Sequence, residues 1–228
     1  MISRIFLAGI LGGVLAGLLW TALQQIQVTP MILEAETYEM GGAVSQDEAA
    51  AAVEEEEGWA PADGLERTLY TALANVLIAI AFGLFLAAGY AMRGQINWRQ
   101  SILWGLGGFV GFNLAPALGL PPELPGAAAA PLAERQVWWL LTVVATLGGL
   151  VLLAFAPRHY AKALGGLLIV IPHAVGAPQP DSHGGLAPAE LEQAFIYASL
   201  ATNAIFWVVL GVLTAVLFNR LRGGGAAS

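Results

Sequence analysis

Long apolar runs separated by short polar stretches dominate the hydropathy pattern of this chain. Five runs, at about residues 5–25, 69–92, 101–120, 137–156 and 194–218, have no ionisable side chain in the middle. A hydrocarbon core about 30 Å thick needs roughly 20 apolar helical residues, so each run is long enough to cross a bilayer. A sixth run, 161–175, is shorter and is either a full span or a re-entrant segment. The pattern predicts an all-α fold, a polytopic membrane helix bundle of about six transmembrane helices, or five if 161–175 is re-entrant.

The positions of the basic residues favour six crossings. Arg and Lys near the ends of spans prefer the cytoplasmic side. With six crossings and both termini inside, seven of the nine basic residues are cytoplasmic, and only Arg67 and Arg135 are not. If 161–175 were re-entrant, five basic residues would be cytoplasmic and four outside, because the two arginines after the last span would move outside. We therefore expect residues 1–228 to form a single integral membrane domain with both termini in the cytoplasm.

This topology places two notable loops outside the cytoplasm. The first, 26–68, is acidic and holds 12 of the 25 charged residues. A short surface helix is plausible within it at about 46–57, and the spacing of Asp63 and Glu66 predicts a capping box at the start of the second span. The second loop, 172–193, is rich in proline, glycine and histidine. Pro188, near its end, suits the first turn of the last helix.

Composition narrows the class of protein. The chain is 57% apolar and only 11% charged, with a mean hydropathy of +0.70. Soluble domains have about 25% charged residues, so a globular cytosolic enzyme is excluded. A formal charge of −7 without a basic patch excludes a nucleic-acid binder, and the absence of cysteine excludes a disulfide-stabilised secreted fold.

Glycines that recur every four residues predict close contacts between helices. Gly9, Gly13 and Gly17 follow this spacing in the first run, and Gly107 and Gly111 follow it in the third. Small residues let helix backbones approach each other in lipid. These glycines indicate internal packing of one bundle, with a docking face for another membrane subunit as the alternative.

Three asparagines lie inside predicted spans. An unpaired amide in hydrocarbon is costly, so Asn75, Asn113 and Asn203 should face the interior of the bundle. They either form hydrogen bonds between helices or line a polar transport path. No Asp, Glu, Lys or Arg is expected to be buried within a span, which argues against a proton relay of paired carboxylates in the membrane.

The segment 171–185, IPHAVGAPQPDSHGG, has the most unusual local composition. Its three prolines and three glycines predict a rigid, irregular loop at the outer end of the fifth segment. His173, His183 and Asp181 would supply imidazole nitrogens and a carboxylate, ligands that suit divalent cobalt, nickel, zinc or copper. The spacing matches no diagnostic metal motif, and the histidines could instead cap helix ends or bond to loop carbonyls. The third histidine, His159, lies among basic residues and is interpreted as a topology residue.

A second outer motif, VTPMILEAETYE at 28–39, follows the first span. Glu34 and Glu36 are two residues apart, so they point to different faces if the stretch is helical. Either carboxylate could complete a site formed by the histidine loop. The alternative is that both are solvated acids at the membrane interface.

With these motifs in place, the chain resembles the CbtA family of predicted bacterial cobalt transporter subunits. The resemblance covers most of the chain except about 43–60. It implies uptake of cobalt across the inner membrane for cobalamin synthesis, with a small single-span partner that bears a histidine-rich segment. We associate the family with five spans, whereas the charges favour six. The resemblance is carried by the glycine-rich first helix, VTPMILEAETYE, IPHAVGAPQP at 171–180, and LAPAELEQAF through IFWVVLG at 186–211.

We therefore expect a membrane subunit of a divalent cobalt or nickel transporter, embedded in lipid and able to form a homo-oligomer. Cobalt would be the transported ion, and we expect no resident cofactor and no enzymatic activity. The chain has no GxxxxGK[ST] motif, so any coupling to ATP must come from another polypeptide. The alternatives are a membrane metalloenzyme that uses the same loop and a structural or assembly subunit without an ion site.

Overall fold

The computed structural model describes residues 2–46, 59–180 and 184–223, and these are helical apart from their connections. A π-helical turn, Val110–Leu114, joins α4 to α5 without a break. No strand occurs in the described ranges, but Ala127 and Gly185 form an isolated antiparallel bridge. The helices are α1 (Ile2–Gln27), α2 (Thr29–Gln46), α3 (Leu65–Arg93), α4 (Trp98–Phe109), α5 (Ala115–Ala117), α6 (Leu132–Phe155), α7 (His159–Val175) and α8 (Ala189–Gly223).

Within the described part of the chain, four helices are long and apolar enough to cross a membrane. They lie within Ile2–Gln27, Leu65–Arg93, Leu132–Phe155 and Ala189–Arg222. The predicted run at 101–120 is helical as far as Ala117, but a π-helical turn interrupts its regular α-helix. Pro116 supplies a physical reason, since it has no N–H and its ring would clash with the carbonyl of Phe112 in a regular α-helix.

Several predicted boundaries differ from the structure. The acidic loop expected at 26–68 contains α2, while 47–58, which includes nearly all of the predicted surface helix, lies outside the described residues. The capping box at Asp63 is wrong, because the N-cap of α3 is Gly64, with φ of 87° and no side-chain cap. Asp63 instead pairs with Arg67 at 3.2 Å. An acid one turn before an arginine can satisfy that cation more readily than it can reach the helix N-terminus.

The chain divides into two compact units. The first comprises Met1–Pro30, Ala43–Leu106 and Ala201–Ser228, and the second comprises Met31–Gly42 and Gly107–Leu200.

Glycines pack α1 directly against α3 in the first unit. A methyl group added to Gly13 would lie 2.5 Å from Cα of Ile80, and one added to Gly9 or Gly17 would lie 2.8 Å from the facing backbone of α3. The predicted role of these glycines in internal packing is confirmed. Because Gly9 faces Leu84 and Gly17 faces Val76, the two helices are antiparallel.

Helix α8 is also antiparallel to α1 in the first unit. Trp20 stacks on Phe206 with 4.4 Å between ring centroids, and at the other end Arg4 donates a hydrogen bond to the Arg222 carbonyl at 3.5 Å. The start of α1 and the end of α8 therefore lie at the same end of this unit. Helix α4 is antiparallel to α8 as well, since Gly105 faces Trp207 whereas Ser101 faces Gly211.

Helices α6 and α7 form an antiparallel pair in the second unit. A methyl group on Gly149 would lie 2.5 Å from the Gly165 carbonyl oxygen, and Trp138 at the start of α6 bonds to Pro172 near the end of α7. The buried face of α6 also carries Thr142 and Thr146, both fully buried. This pair positions the candidate site.

Candidate metal site

His173 lies on the last turn of α7, not in an irregular loop. The predicted loop at 171–185 is wrong for its first five residues, because α7 continues to Val175. Pro172 removes one hydrogen bond within α7, which ends three residues later at Val175 and is followed by Gly176, whose φ of 90° suits glycine. The helix therefore fixes the backbone of His173 more firmly than a loop would.

Trp138 holds the end of α7 in place. Its indole Nε1–H donates to the carbonyl of Pro172 at 3.3 Å, and the same carbonyl accepts the N–H of Gly176 at 3.0 Å. The Trp138 ring also meets the His173 ring edge to face, with 6.0 Å between centroids. One tryptophan thus orients both the backbone and the imidazole of the candidate ligand.

The Nε2 atom of His173 is buried and has no hydrogen-bond partner among the described residues. A buried polar atom without a partner is costly, so this nitrogen is suited to an additional ligand. The alternative, that His173 bonds to a loop carbonyl, finds no support at this nitrogen. His159 differs, because it is exposed at the start of α7.

The other predicted ligands are not assembled around His173 by the described part of the chain. Asp181 and His183 lie outside the described residues, so their role stays a prediction. Glu34 is exposed on α2, and Glu36 is half-buried with a partner of its own. Within the described ranges, no three His, Asp or Glu side chains form a group that could hold a metal.

A cavity of about 210 Å³ lies in the second unit between the connections 118–131 and 176–188. Its walls are joined by the bridge of Ala127 and Gly185. Glu123 and Glu192 both line it. Glu123 is neutralised by Arg135 at 2.6 Å, whereas Glu192 is half-buried and reaches over Gly185.

Sequence reasoning missed both Trp138 and Glu192. Trp138 lies in an apolar run, where an aromatic residue is ordinarily a packing residue. Glu192 lies in the LAPAELEQAF motif, and an acid in the first turn of a helix is commonly explained by the helix dipole. Neither pattern points to a site before the helices are packed.

The three asparagines have different surroundings. Asn75 is buried in the first unit, and its Nδ2 donates to Oγ1 of Thr21 at 3.1 Å and to Oε1 of Gln24 at 2.6 Å. Asn75 therefore joins α3 to α1. Asn113, in the π-helical turn, and Asn203, on α8, are half-buried and each has a partner. A transport path along these asparagines stays a prediction.

Comparison with known proteins agrees with the resemblance seen in the sequence motifs. The family model described as "Probable cobalt transporter subunit (CbtA)" matches residues 2–219. No curated protein and no solved structure matches the chain.

Proposed function

Because the chain belongs to the CbtA family of probable cobalt transporter subunits, we propose that it takes up divalent cobalt across the bacterial inner membrane. Nickel is the alternative cargo, since imidazole and carboxylate ligands suit both ions. The observation that carries the ligand assignment is the buried, unpartnered Nε2 of His173 at the end of α7. We propose His183 and Asp181 as further ligands, with Glu34 or Glu36 nearby.

We propose six crossings with both termini in the cytoplasm, and the direction of the helices supports this number. In the first unit α8 is antiparallel to both α1 and α4. An even number of crossings directs the first and last helices oppositely, as α1 and α8 are, whereas five crossings would leave them parallel. In the second unit α6 and α7 are antiparallel, as two successive crossings are.

The length of α7 is compatible with this proposal. Its 17 residues extend about 26 Å at 1.5 Å per residue, slightly less than a typical hydrocarbon core. Local thinning of the bilayer accommodates such a short span at modest cost. The same topology places His173 at the outer surface, where it would meet incoming ions.

A transporter subunit implies a partner subunit. We propose that this partner is a small single-span protein with a histidine-rich segment that delivers cobalt to the outer surface, and that the cobalt supports cobalamin synthesis. A homo-oligomer is a further proposal. The glycines of α1 contact α3 and α8 within the chain, so they do not supply a free docking face.

Cobalt uptake by cells that express the protein tests the proposal directly. Radioactive cobalt accumulation should exceed that of cells without the protein, and H173A should abolish most of the increase. H159A is the matched control, because His159 is the exposed histidine at the other end of the same helix. Uptake by H173A at the wild-type rate, with equal amounts in the membrane, would eliminate His173 as a ligand.

A further inference from the structure

We infer that Glu192 is the carboxylate that captures a hydrated divalent cation before the ion reaches His173, in the cavity that the described residues 119–130, 178–180 and 184–185 line. The inference deepens the proposed transport function and rests on it. Glu192 is a carboxylate in addition to Glu34 and Glu36, which the sequence suggested as residues that could complete a site formed by the histidine loop.

The first support is the charge inside the cavity. Glu123 forms an ion pair with Arg135, so that carboxylate is compensated. No cation in the described part of the chain pairs with Glu192. A half-buried carboxylate without a compensating charge attracts cations more strongly than a solvated one, because the local dielectric constant is lower.

The second support is the way in which the backbone places Glu192. Its Oε1 lies over the α-carbon of Gly185, in a space that any larger residue would fill. Gly185 is itself held by its bridge to Ala127 and by flanking hydrogen bonds, Ala128 N–H to Gly184 and Leu186 N–H to Gly126, at 3.3 and 3.4 Å. The carboxylate therefore lies at the cavity wall that Gly185 forms.

Gln179 supplies a second oxygen on the cavity wall. Its Nε2–H donates to the Ala177 carbonyl at 3.2 Å, which leaves Oε1 as the atom free to accept. Carboxylate and amide oxygens bind divalent ions broadly and suit magnesium as well as cobalt. The cavity therefore captures divalent ions with little selectivity, and the imidazole of His173 provides the preference for cobalt.

Two contacts made by Trp138 link the wall of the cavity to His173. Gly119 lines the cavity and packs against the ring of Trp138. The same ring meets His173 edge to face. Trp138 therefore contacts both a residue of the cavity wall and His173.

The decisive experiment is calorimetric titration of the purified full-length protein in detergent with cobalt at constant pH. E192Q should weaken cobalt binding at least about tenfold, the scale expected when a contributing group of a metal site is lost. E190Q is the matched control, because it removes the same charge two residues earlier from an exposed position on α8. E190Q should bind as the wild type does, and millimolar magnesium should weaken cobalt binding in the wild type more than in E192Q.

A second variant keeps the test valid if E192Q does not fold. G185A retains every charge but displaces the Glu192 carboxylate, so it should also weaken binding. Wild-type affinity in E192Q, or an equal loss in E192Q and E190Q, would overturn the inference while leaving the transport function in place. Failure of the wild type both to bind cobalt and to increase its uptake would overturn the proposed function together with the inference.

Discussion

At the scale of single residues, polar side chains within the helices differ in their hydrogen bonding. Some join two helices, whereas one has a buried nitrogen without a described partner. Both amide hydrogens of Asn75 are donated to α1, so this side chain joins two helices. Nε2 of His173 is buried without a described partner. Residues of similar polarity within the apolar helices thus have different roles, and only their neighbours distinguish them.

N75L should lower stability more than transport. The substitution removes two interhelical hydrogen bonds, each worth about 0.6 kcal/mol on average in membrane proteins, and leaves Thr21 and Gln24 without this partner. We expect a loss of about 1–2 kcal/mol, measured as a lower thermal midpoint in detergent. A74L, on the exposed face of the same helix, should leave the midpoint unchanged. Normal stability of N75L with lost cobalt uptake would instead assign Asn75 to the transport path.

W138F should weaken cobalt binding without changing any ligand. Phenylalanine retains an aromatic edge for His173 but cannot donate to the Pro172 carbonyl, so the end of α7 is held less firmly. Loss of an orienting hydrogen bond near a metal site typically lowers affinity about 10–100-fold. W139F, at the neighbouring exposed position, should bind normally in the same titration. Equal affinities for the two variants would show that Trp138 only fills space.

At the scale of helices, glycines determine which surfaces meet. Gly13 faces the backbone of α3, which cannot rotate away as a side chain can. Gly107 has nothing within 4 Å of the position that a Cβ would occupy. Both glycines were predicted to mark close contacts between helices, but only Gly13 lacks room for a side chain.

G13A should destabilise the protein, whereas G107A should not. An added methyl group at Gly13 would lie 2.5 Å from Cα of Ile80, so α1 and α3 must move apart. Such overpacking typically costs about 1–3 kcal/mol. Thermal unfolding of both variants in the same detergent tests this difference. Similar midpoints for G13A and the wild type would mean that the α1 and α3 contact is looser than described.

At the scale of the whole chain, six crossings predict which connections can be labelled from outside. Ala129 and Gln179 should be outside, whereas Asn97 and His159 should be inside, and all four are exposed. Single cysteines at these positions can be probed with an impermeant thiol reagent, since the native chain has no cysteine. A129C and Q179C should react in intact cells, and N97C and H159C only after lysis. Labelling of Q179C from the cytoplasmic side would support a re-entrant α7.

The sequence by itself determined the helical class, the approximate positions of the apolar segments and the internal packing of the α1 glycines. These features depend on local properties, namely the length of an apolar run and the size of a side chain, which bilayer thickness and backbone contact restrict directly. The sequence also pointed to His173, because a histidine beside prolines at the end of an apolar run is conspicuous in composition alone.

Only the tertiary structure determined which polar groups lie close together in space. Trp138 and Pro172 are 34 positions apart, and Glu123, Gln179 and Glu192 come from three separate segments. No periodicity relates such positions, because helix packing and the bridge between Ala127 and Gly185 bring them together. Whether a carboxylate forms an ion pair likewise depends on its distance from a cationic side chain in the folded chain. Glu123 therefore has a compensating arginine, while Glu192 has none among the described residues, and the sequence around each acid does not indicate this difference.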